Sequence, residues 1–186
     1  MAGAPDDDDD EGADEEEDPP SCLAGFASFM VSFVTTNYAA SVTLATEAGI
    51  PQDWILAWSA DESSFGTSSI AKKSGNYFGW HGPGNIKCPT GTNTKTGCFS
   101  SFLASGTTAL FSEHTWFNYN GNPHSSAGQI LLNQYQNNAS AATAFQALSK
   151  AGYNSNPNYG AQVAGSYFLG NVDGIENCLS SLGQLH

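Results

Sequence analysis

Four cysteines are the strongest constraint on what this chain of 186 residues can fold into. They allow three pairings, and their positions favour one of them. Cys88 and Cys98 flank a short polar segment, PTGTNTKTG, which is typical of a loop tip, whereas Cys22 and Cys178 bracket the body and would clasp its two ends together. Zinc is the alternative, but the sequence has no C-x-x-C pair and no histidine at ligand spacing. We therefore expect two disulfides and an oxidising compartment.

The acidic residues are concentrated near the start of the sequence. Eleven of the eighteen lie in residues 5–20, which leaves seven in the body against five lysines. The net charge of −13 therefore belongs mostly to this run. A like-charged segment without aromatic residues cannot bury enough apolar surface to offset its ordering entropy. We expect residues 1–20 to form a disordered acidic tail and residues 21–186 to form one domain.

The composition excludes several classes of function. The chain has no arginine and no basic patch, which argues against a nucleic-acid partner. Its most apolar stretch, residues 23–34, contains two serines and is shorter than the roughly 20 residues of a membrane span, so we expect no membrane insertion. The acidic start is the opposite of the basic beginning of a signal peptide. We expect either a mature or trimmed protein or export by a route that reads no N-terminal signal.

Apolar residues recur at helical spacing through most of the body. The predicted helical segments are 22–48 (one bent helix or two), 51–65, 102–117, 127–136, 140–151 and 158–169. Between residues 75 and 97 the sequence is rich in Gly, Pro, Asn and Thr, which indicates loops and a small β-hairpin. The fold is predicted to be mainly helical with one irregular or β-like insertion.

Glu62 is the leading candidate for chemistry. On the predicted helix 51–65 it shares a face with Ile55 and Trp58. Burial against such residues disfavours the anion, so the pKa of the carboxyl rises and the group can act as a general acid near neutral pH. Beside Tyr, Trp and Asn it would suit cleavage of a glycosidic bond, because aromatic faces stack on sugar rings and amides bind their substituents. The alternative is a helix-end carboxylate bonded to backbone or serine donors, and spacing alone does not choose between the two.

Two ordered blocks of the sequence resemble a known family. The first, GIPQDWILAWSADESSFGTSSIAKKSGNYFGW, resembles the glucosaminidase family (glycoside hydrolase family 73), the peptidoglycan-cleaving domain of autolysins and of the flagellar rod-cap muralytic protein. The second, ALSKAGYNSNPNYGAQV, resembles the A-L-x-x-A-G-Y-A-T-D-P-x-Y segment of the same family, and the resemblance covers roughly residues 33–163. The matching residues of the first block are Gly49, Ile50, Leu56, Ala57, Glu62, Ser63, Phe65, Gly66, Ser68, Ile70, Ala71, Asn76, Phe78 and Gly79.

The resemblance implies a lysozyme-like α+β fold, in which a mainly helical lobe and a small β-hairpin lobe flank a substrate cleft. It also implies hydrolysis of the β-1,4 bond after N-acetylglucosamine in peptidoglycan, with no cofactor or metal. Glu62 takes the position of the catalytic general acid. Trp80 and Tyr153 map to cleft positions expected to hold the sugar, and Asn76 and Asn158 are weaker matches that serve either the substrate or the structure.

The sequence departs from the family in its second catalytic group. Many members carry a second carboxylate on the β-lobe, but residues 72–112 contain no Asp or Glu. Glu113 follows in a predicted helix and is a weak candidate, and Asp61 is expected to be a solvated neighbour of the general acid. His81 and His114 are candidate bases that fit surface positions better. The open routes are assistance by the 2-acetamido group of the substrate, a water held by Tyr or Asn, or a distant acid brought in by lobe closure.

Three functions follow from these observations. The first is a monomeric endo-N-acetylglucosaminidase acting on peptidoglycan in the periplasm or outside the cell, one form of which is an antibacterial effector blocked by a cognate immunity protein. The second is a muramidase or lytic transglycosylase, for which a single glutamate is sufficient. The third is a catalytically inactive glycan-binding module.

Overall fold

The computed structural model of the protein describes residues 20–92, 95–113, 119–122 and 124–185. In these ranges a short 3-10 helix, Ser21–Leu23, precedes eight α-helices. The helices are α1 (Ser28–Ala48), α2 (Gln52–Ser63), α3 (Ser69–Ser74), α4 (Phe102–Phe111), α5 (Ala127–Gln136), α6 (Ala141–Lys150), α7 (Tyr159–Val163) and α8 (Leu169–Ser181). Across the ranges that the structure describes, no helix combines the length and apolar character needed to cross a bilayer. Residues 1–19 of the predicted acidic tail lie outside these ranges.

Helix α2 forms the centre of the domain. Every residue from 54 to 60 is buried, and a helix that is apolar all round is typical of a core position. Helices α1, α7 and α8 pack around it. Burial decreases at the two ends of the helix, and in the last turn Asp61 and Glu62 are partly exposed. The centre of the fold therefore presents two neighbouring carboxyls at its surface end.

Both predicted disulfides are present. Cys22 pairs with Cys178 on α8, and Cys88 pairs with Cys98. No cysteine is left to ligate zinc, and the described part of the chain holds no cluster of side chains suited to a metal ion. The Cys22–Cys178 disulfide, here called the outer bridge, links α8 to the segment that precedes α1, and Cys88–Cys98 is the inner bridge.

The predicted β-hairpin lobe is not found in the described residues. Between Trp80 and Phe99 these contain one isolated antiparallel bridge, from Ile86 to Cys98, and no strand. Two prolines in this segment lack a backbone N–H for a ladder. The backbones also approach too closely for ordinary side chains, since a Cβ at Gly84 would lie 2.0 Å from the carbonyl oxygen of Cys98. The Cys88–Cys98 disulfide and these close backbone contacts, and not a strand ladder, hold residues 80–99 together.

The predicted final helix, 158–169, was wrong in its extent. The chain forms the short α7, a turn, and then α8, which the sequence pattern did not indicate. Glycines at positions 170 and 174 weaken the helical signal of α8. Gly174 nevertheless has a packing role, because a Cβ there would lie 2.6 Å from the Phe26 ring. Burial of Val172, Ile175 and Leu179 compensates for the low propensity.

Candidate active site

The chain turns sharply directly after Glu62. Helix α2 ends at Ser63, and the next two residues, Ser64 and Phe65, both have φ of +52°. Such values are uncommon outside glycine and mark a tightly determined turn. The Ser63 hydroxyl stabilises it by accepting a hydrogen bond from the backbone N–H of Gly66 at 2.8 Å. Glu62 is thereby fixed at the end of a rigid helix.

Both oxygens of the Glu62 carboxyl have close neighbours. The Tyr159 hydroxyl donates a hydrogen bond to Oε1 at 2.6 Å. Oε2 lies over Gly79, where φ is +61° and a Cβ would come within 2.6 Å of it. The Tyr153 hydroxyl lies beside the same carboxyl and donates to the carbonyl oxygen of Phe78 at 2.6 Å. The carboxyl is thus held between α7 and the backbone of residues 78–79.

This setting changes the pKa of Glu62. Burial raises the pKa from its ordinary value of 4.5 to about 7, against the opposing effect of the hydrogen bond from Tyr159. The charge of Asp61 raises the pKa further, and the hydrogen bond from Tyr153 lowers it. Burial and the proximity of Glu62 also raise the pKa of both tyrosines well above 10, so they stay neutral donors. At neutral pH a substantial fraction of Glu62 is protonated and able to donate a proton.

Asp61 does not stand free in solvent, contrary to the expectation from sequence. Its Oδ1 accepts a hydrogen bond from Nε2 of Gln162, which lies on α7. Burial raises the pKa of Asp61, and this hydrogen bond lowers it. Asp61 is therefore part of the contact between α2 and α7 that also contains Glu62.

Asn76 and Trp80 stabilise the turn that lies against the Glu62 carboxyl. Asn76 is buried, and its side chain both donates to the carbonyl oxygen of Trp80 and accepts from the Trp80 N–H, each at 2.9 Å. These bonds close the turn that carries Gly79. Trp80 is only 7% exposed, and its indole N–H donates to the carbonyl oxygen of Pro83 at 3.2 Å. Of the two readings left open for Asn76, its contacts are those of a structural residue.

The second block of the sequence contributes two tyrosines. Tyr153 was predicted as a site residue, whereas Tyr159 was not, although it is the final residue of the family segment A-L-x-x-A-G-Y-A-T-D-P-x-Y. Its place at the end of that family segment was the signal that could have identified Tyr159 from the sequence. Asn158 occupies the N-cap of α7 and is exposed. It therefore lies next to Tyr159 and not in direct contact with Glu62.

Of the described candidates for a second acid or base, neither Glu113 nor His81 acts on Glu62. Glu113 follows α4 with a side chain that is 67% exposed, and its Oε2 lies 3.7 Å from Nδ1 of His124. His81 is exposed, and His114 lies outside the described residues. Among the described residues, Asp61 is the only other carboxylate that acts on Glu62.

A carboxyl at the end of a buried helix, with a pKa that burial raises to about 7 and a hydrogen bond from a neutral tyrosine, is an arrangement that glycoside hydrolases use for a proton donor. Residues 38–167 match the profile of the Glucosaminidase family, described as mannosyl-glycoprotein endo-beta-N-acetylglucosaminidase. Because the match spans well over half of the sequence, the chain belongs to the Glucosaminidase family, a family of glycoside hydrolases. No curated protein sequence matches this chain.

A solved structure shares the fold. It is a chain in a type VI secretion system effector-immunity complex from Pseudomonas protegens, with a TM-score of 0.55 and 22% sequence identity over 82% of this chain and 95% of that one. At this identity the similarity concerns the fold. The mainly helical architecture described above is therefore one that an experimentally determined structure also has.

Proposed function

We propose that the protein is a peptidoglycan hydrolase that cleaves the β-1,4 bond after N-acetylglucosamine, with Glu62 as the general acid. The observation that carries the proposal is the Glu62 carboxyl, raised to a pKa of about 7 and bonded to Tyr159 at 2.6 Å. A carboxyl with this pKa donates a proton to a leaving glycosidic oxygen and is regenerated near neutral pH. Membership in the Glucosaminidase family supports the same reaction class. Tyr153, Trp80 and Asn158 remain the proposed contacts to the sugar.

Apart from Asp61, no carboxylate of the described residues acts on Glu62, so none is assigned the role of base or nucleophile on the opposite side of the bond. We propose that the 2-acetamido group of the substrate, or a water held by a tyrosine hydroxyl, takes that role. The same observation favours a second candidate that cleaves after N-acetylmuramic acid, either a lytic transglycosylase or a muramidase. For the transglycosylase, closure of a 1,6-anhydro ring uses the hydroxyl of the sugar itself and requires only one protein acid. The two candidates leave different new ends on the glycan.

We further propose that the enzyme acts in the periplasm or outside the cell as an antibacterial effector, neutralised in the producing cell by an immunity protein. Peptidoglycan lies there, and two disulfides are stable in an oxidising compartment. The fold shared with a chain of an effector-immunity complex supports this role. The experiment is to produce the enzyme in the periplasm of a test bacterium, where wild type should lyse cells and Glu62→Gln should not.

The reaction is tested on purified peptidoglycan. After digestion and borohydride reduction, mass spectrometry should find N-acetylglucosaminitol at the new ends. Muramitol or anhydromuramic acid would instead establish the second candidate, and the absence of any soluble product would overturn both in favour of a glycan-binding module. Glu62→Gln should abolish release while thermal unfolding shows that the protein remains folded, whereas Glu47→Gln, the same change on an exposed residue of α1, should retain activity.

A further inference from the structure

Two neighbouring carboxyls of α2 meet two residues of α7 that lie one turn apart. Glu62 accepts its hydrogen bond from Tyr159, and Asp61 accepts one from Gln162. Residues three apart on a helix project from the same face, so the two contacts form parallel links between the last turn of α2 and α7. The Gln162 link is extended by Asn156, whose Nδ2 donates to Oε1 of Gln162 at 2.7 Å.

Helix α7 needs such a tether. It has five residues, which is far below the length at which a helix is stable by itself in water. The buried ring of Tyr159 anchors one end of it in the core. Val163 at the other end is also buried in the core. The bond from Gln162 to Asp61 adds a polar contact on the face that carries Tyr159, and this contact fixes the rotation that aims the Tyr159 hydroxyl at Glu62.

We propose that Asp61 is a positioning residue for the proton donor, acting both through its tether to Gln162 and through its negative charge beside Glu62. The proposal rests on the proposed role of Glu62. The charge opposes ionisation of its neighbour, and the hydrogen bond from Gln162 keeps that charge in place at the edge of the site. Asp61 thus keeps Glu62 protonated to a higher pH than burial alone achieves.

The electrostatic surroundings of Glu62 support this assignment. The titratable groups that act on it are Asp61 on α2, Tyr159 on α7 and Tyr153 in the loop between α6 and α7. Tyr159 is a neutral donor to Glu62 and favours its ionised form, and so does the neighbouring hydroxyl of Tyr153, whose own proton is donated to Phe78. No lysine or histidine of the described ranges acts on it. Asp61 is accordingly the one charged neighbour that favours the protonated form.

Three variants of the full chain separate the two actions. Asp61→Asn keeps an oxygen that accepts from Gln162 and removes the charge. Gln162→Ala removes the tether and keeps the charge, and Asp61→Ala removes both. Thermal unfolding of each variant at one pH checks that the fold is retained, which the surface positions of both side chains favour.

The decisive readout needs no substrate. Carbon-13 NMR of glutamate-labelled protein, with the Glu62 signal assigned by its loss in Glu62→Gln, should show Glu62 titrating at lower pH in Asp61→Asn than in wild type. In kcat/KM the alkaline limb should move the same way, with up to about tenfold lower activity at pH 8, since one pH unit on that limb is a tenfold change in the protonated fraction. Gln162→Ala should lower kcat without moving Glu62 to lower pH.

The outcomes distinguish this proposal from the one beneath it. An unchanged Glu62 titration in Asp61→Asn together with wild-type kcat in Gln162→Ala overturns the role of Asp61, whatever the reaction proves to be. Full activity in Glu62→Gln overturns the proposed proton donor and leaves the measured effect of Asp61 on the Glu62 carboxyl standing.

Discussion

Tyr159 and Glu62 are 97 residues apart in the sequence, and the Tyr159 hydroxyl lies 2.6 Å from Oε1 of Glu62. This hydrogen bond joins α7 to α2 and is one of the hydrogen bonds that link the two sequence blocks resembling the family. It orients the carboxyl while lowering a pKa that burial has raised. The strength and direction of its effect can be measured.

Tyr159→Phe should lower kcat by about tenfold or more, because a misoriented catalytic group loses much of its proximity advantage. The hydrogen bond favours the ionised form of Glu62, so its loss should raise the pKa of Glu62 and move the alkaline limb of kcat/KM to higher pH. Tyr135→Phe, the same change on an exposed ring away from the site, serves as the control. A wild-type pH profile for Tyr159→Phe would show that the hydroxyl does not act on Glu62.

Gly79→Ala should impair both stability and activity. A left-handed φ of +61° costs an alanine about 1–2 kcal/mol, and the new Cβ would lie 2.6 Å from Oε2 of Glu62. Gly91→Ala is a matched control, because Gly91 has φ of +84° and a Cβ there would meet no atom within 4 Å. Thermal unfolding should report a larger loss for Gly79→Ala, whose Cβ must also displace the Glu62 carboxyl, and turnover should fall only for Gly79→Ala. Equal turnover would place the Glu62 carboxyl elsewhere than over Gly79.

Removal of the Cys22–Cys178 bridge should destabilise the protein more than removal of Cys88–Cys98. The bridges span 156 and 10 residues, and chain entropy predicts losses of about 5 and about 3 kcal/mol respectively. Urea unfolding of the two double cysteine-to-alanine variants measures the difference. The reverse order would mean that the close backbone packing around the inner bridge matters more than chain entropy.

A second acidic group should make stability depend on pH. Burial raises the pKa of Glu176 from 4.5 to about 7, with further increases from Asp53 and Asp173 and an opposing hydrogen bond from Gln52. A carboxyl whose pKa is higher in the folded state binds its proton more tightly there, so its ionisation destabilises the fold. That destabilisation is complete above pH 7 and absent below pH 4.5.

The unfolding temperature should therefore rise from pH 8 to pH 5. Glu176→Gln should raise it at pH 8 and leave it nearly unchanged at pH 4.5, since the amide keeps an oxygen for Gln52. Glu47→Gln, on the exposed face of α1, provides the comparison. If Glu176→Gln shifts the unfolding temperature equally at both pH values, the effect is one of packing and not of charge.

Local patterns in the sequence predicted much of this molecule. The limits of α5 were predicted correctly from helical spacing, and its start coincides with a capping box formed by Ser126 and Gln129. The disulfide pairings followed from position along the chain. The resemblance to the Glucosaminidase family, carried by residues 49–79 and 147–163, is confirmed by the profile match.

Contacts between distant segments could not be predicted in the same way. Periodicity describes one helix at a time, so it gave no indication that Gln162 would bind Asp61 or that Tyr159 would bind Glu62. The predicted β-hairpin was inferred from turn residues, whose composition suits loops and hairpins equally. Helix α8 depends on burial against α1 and α2, which outweighs the low helix propensity of its two glycines.

The outer disulfide also determines where the chain enters and leaves the folded body. The Cα atoms of Cys22 and Cys178 lie 5.8 Å apart. The chain segment before Cys22 and the segment after Cys178 therefore begin at neighbouring points of the body. A body of this kind can be placed within a surface loop of a carrier protein without being stretched. The segments that flank the bridge can also be joined by a short linker while new ends are opened at an exposed loop such as the one containing Gly91. The outer bridge closes residues 22–178 into a covalent ring. A circularly permuted enzyme opened at the loop containing Gly91 should therefore fold with Glu62 and Tyr159 still in contact.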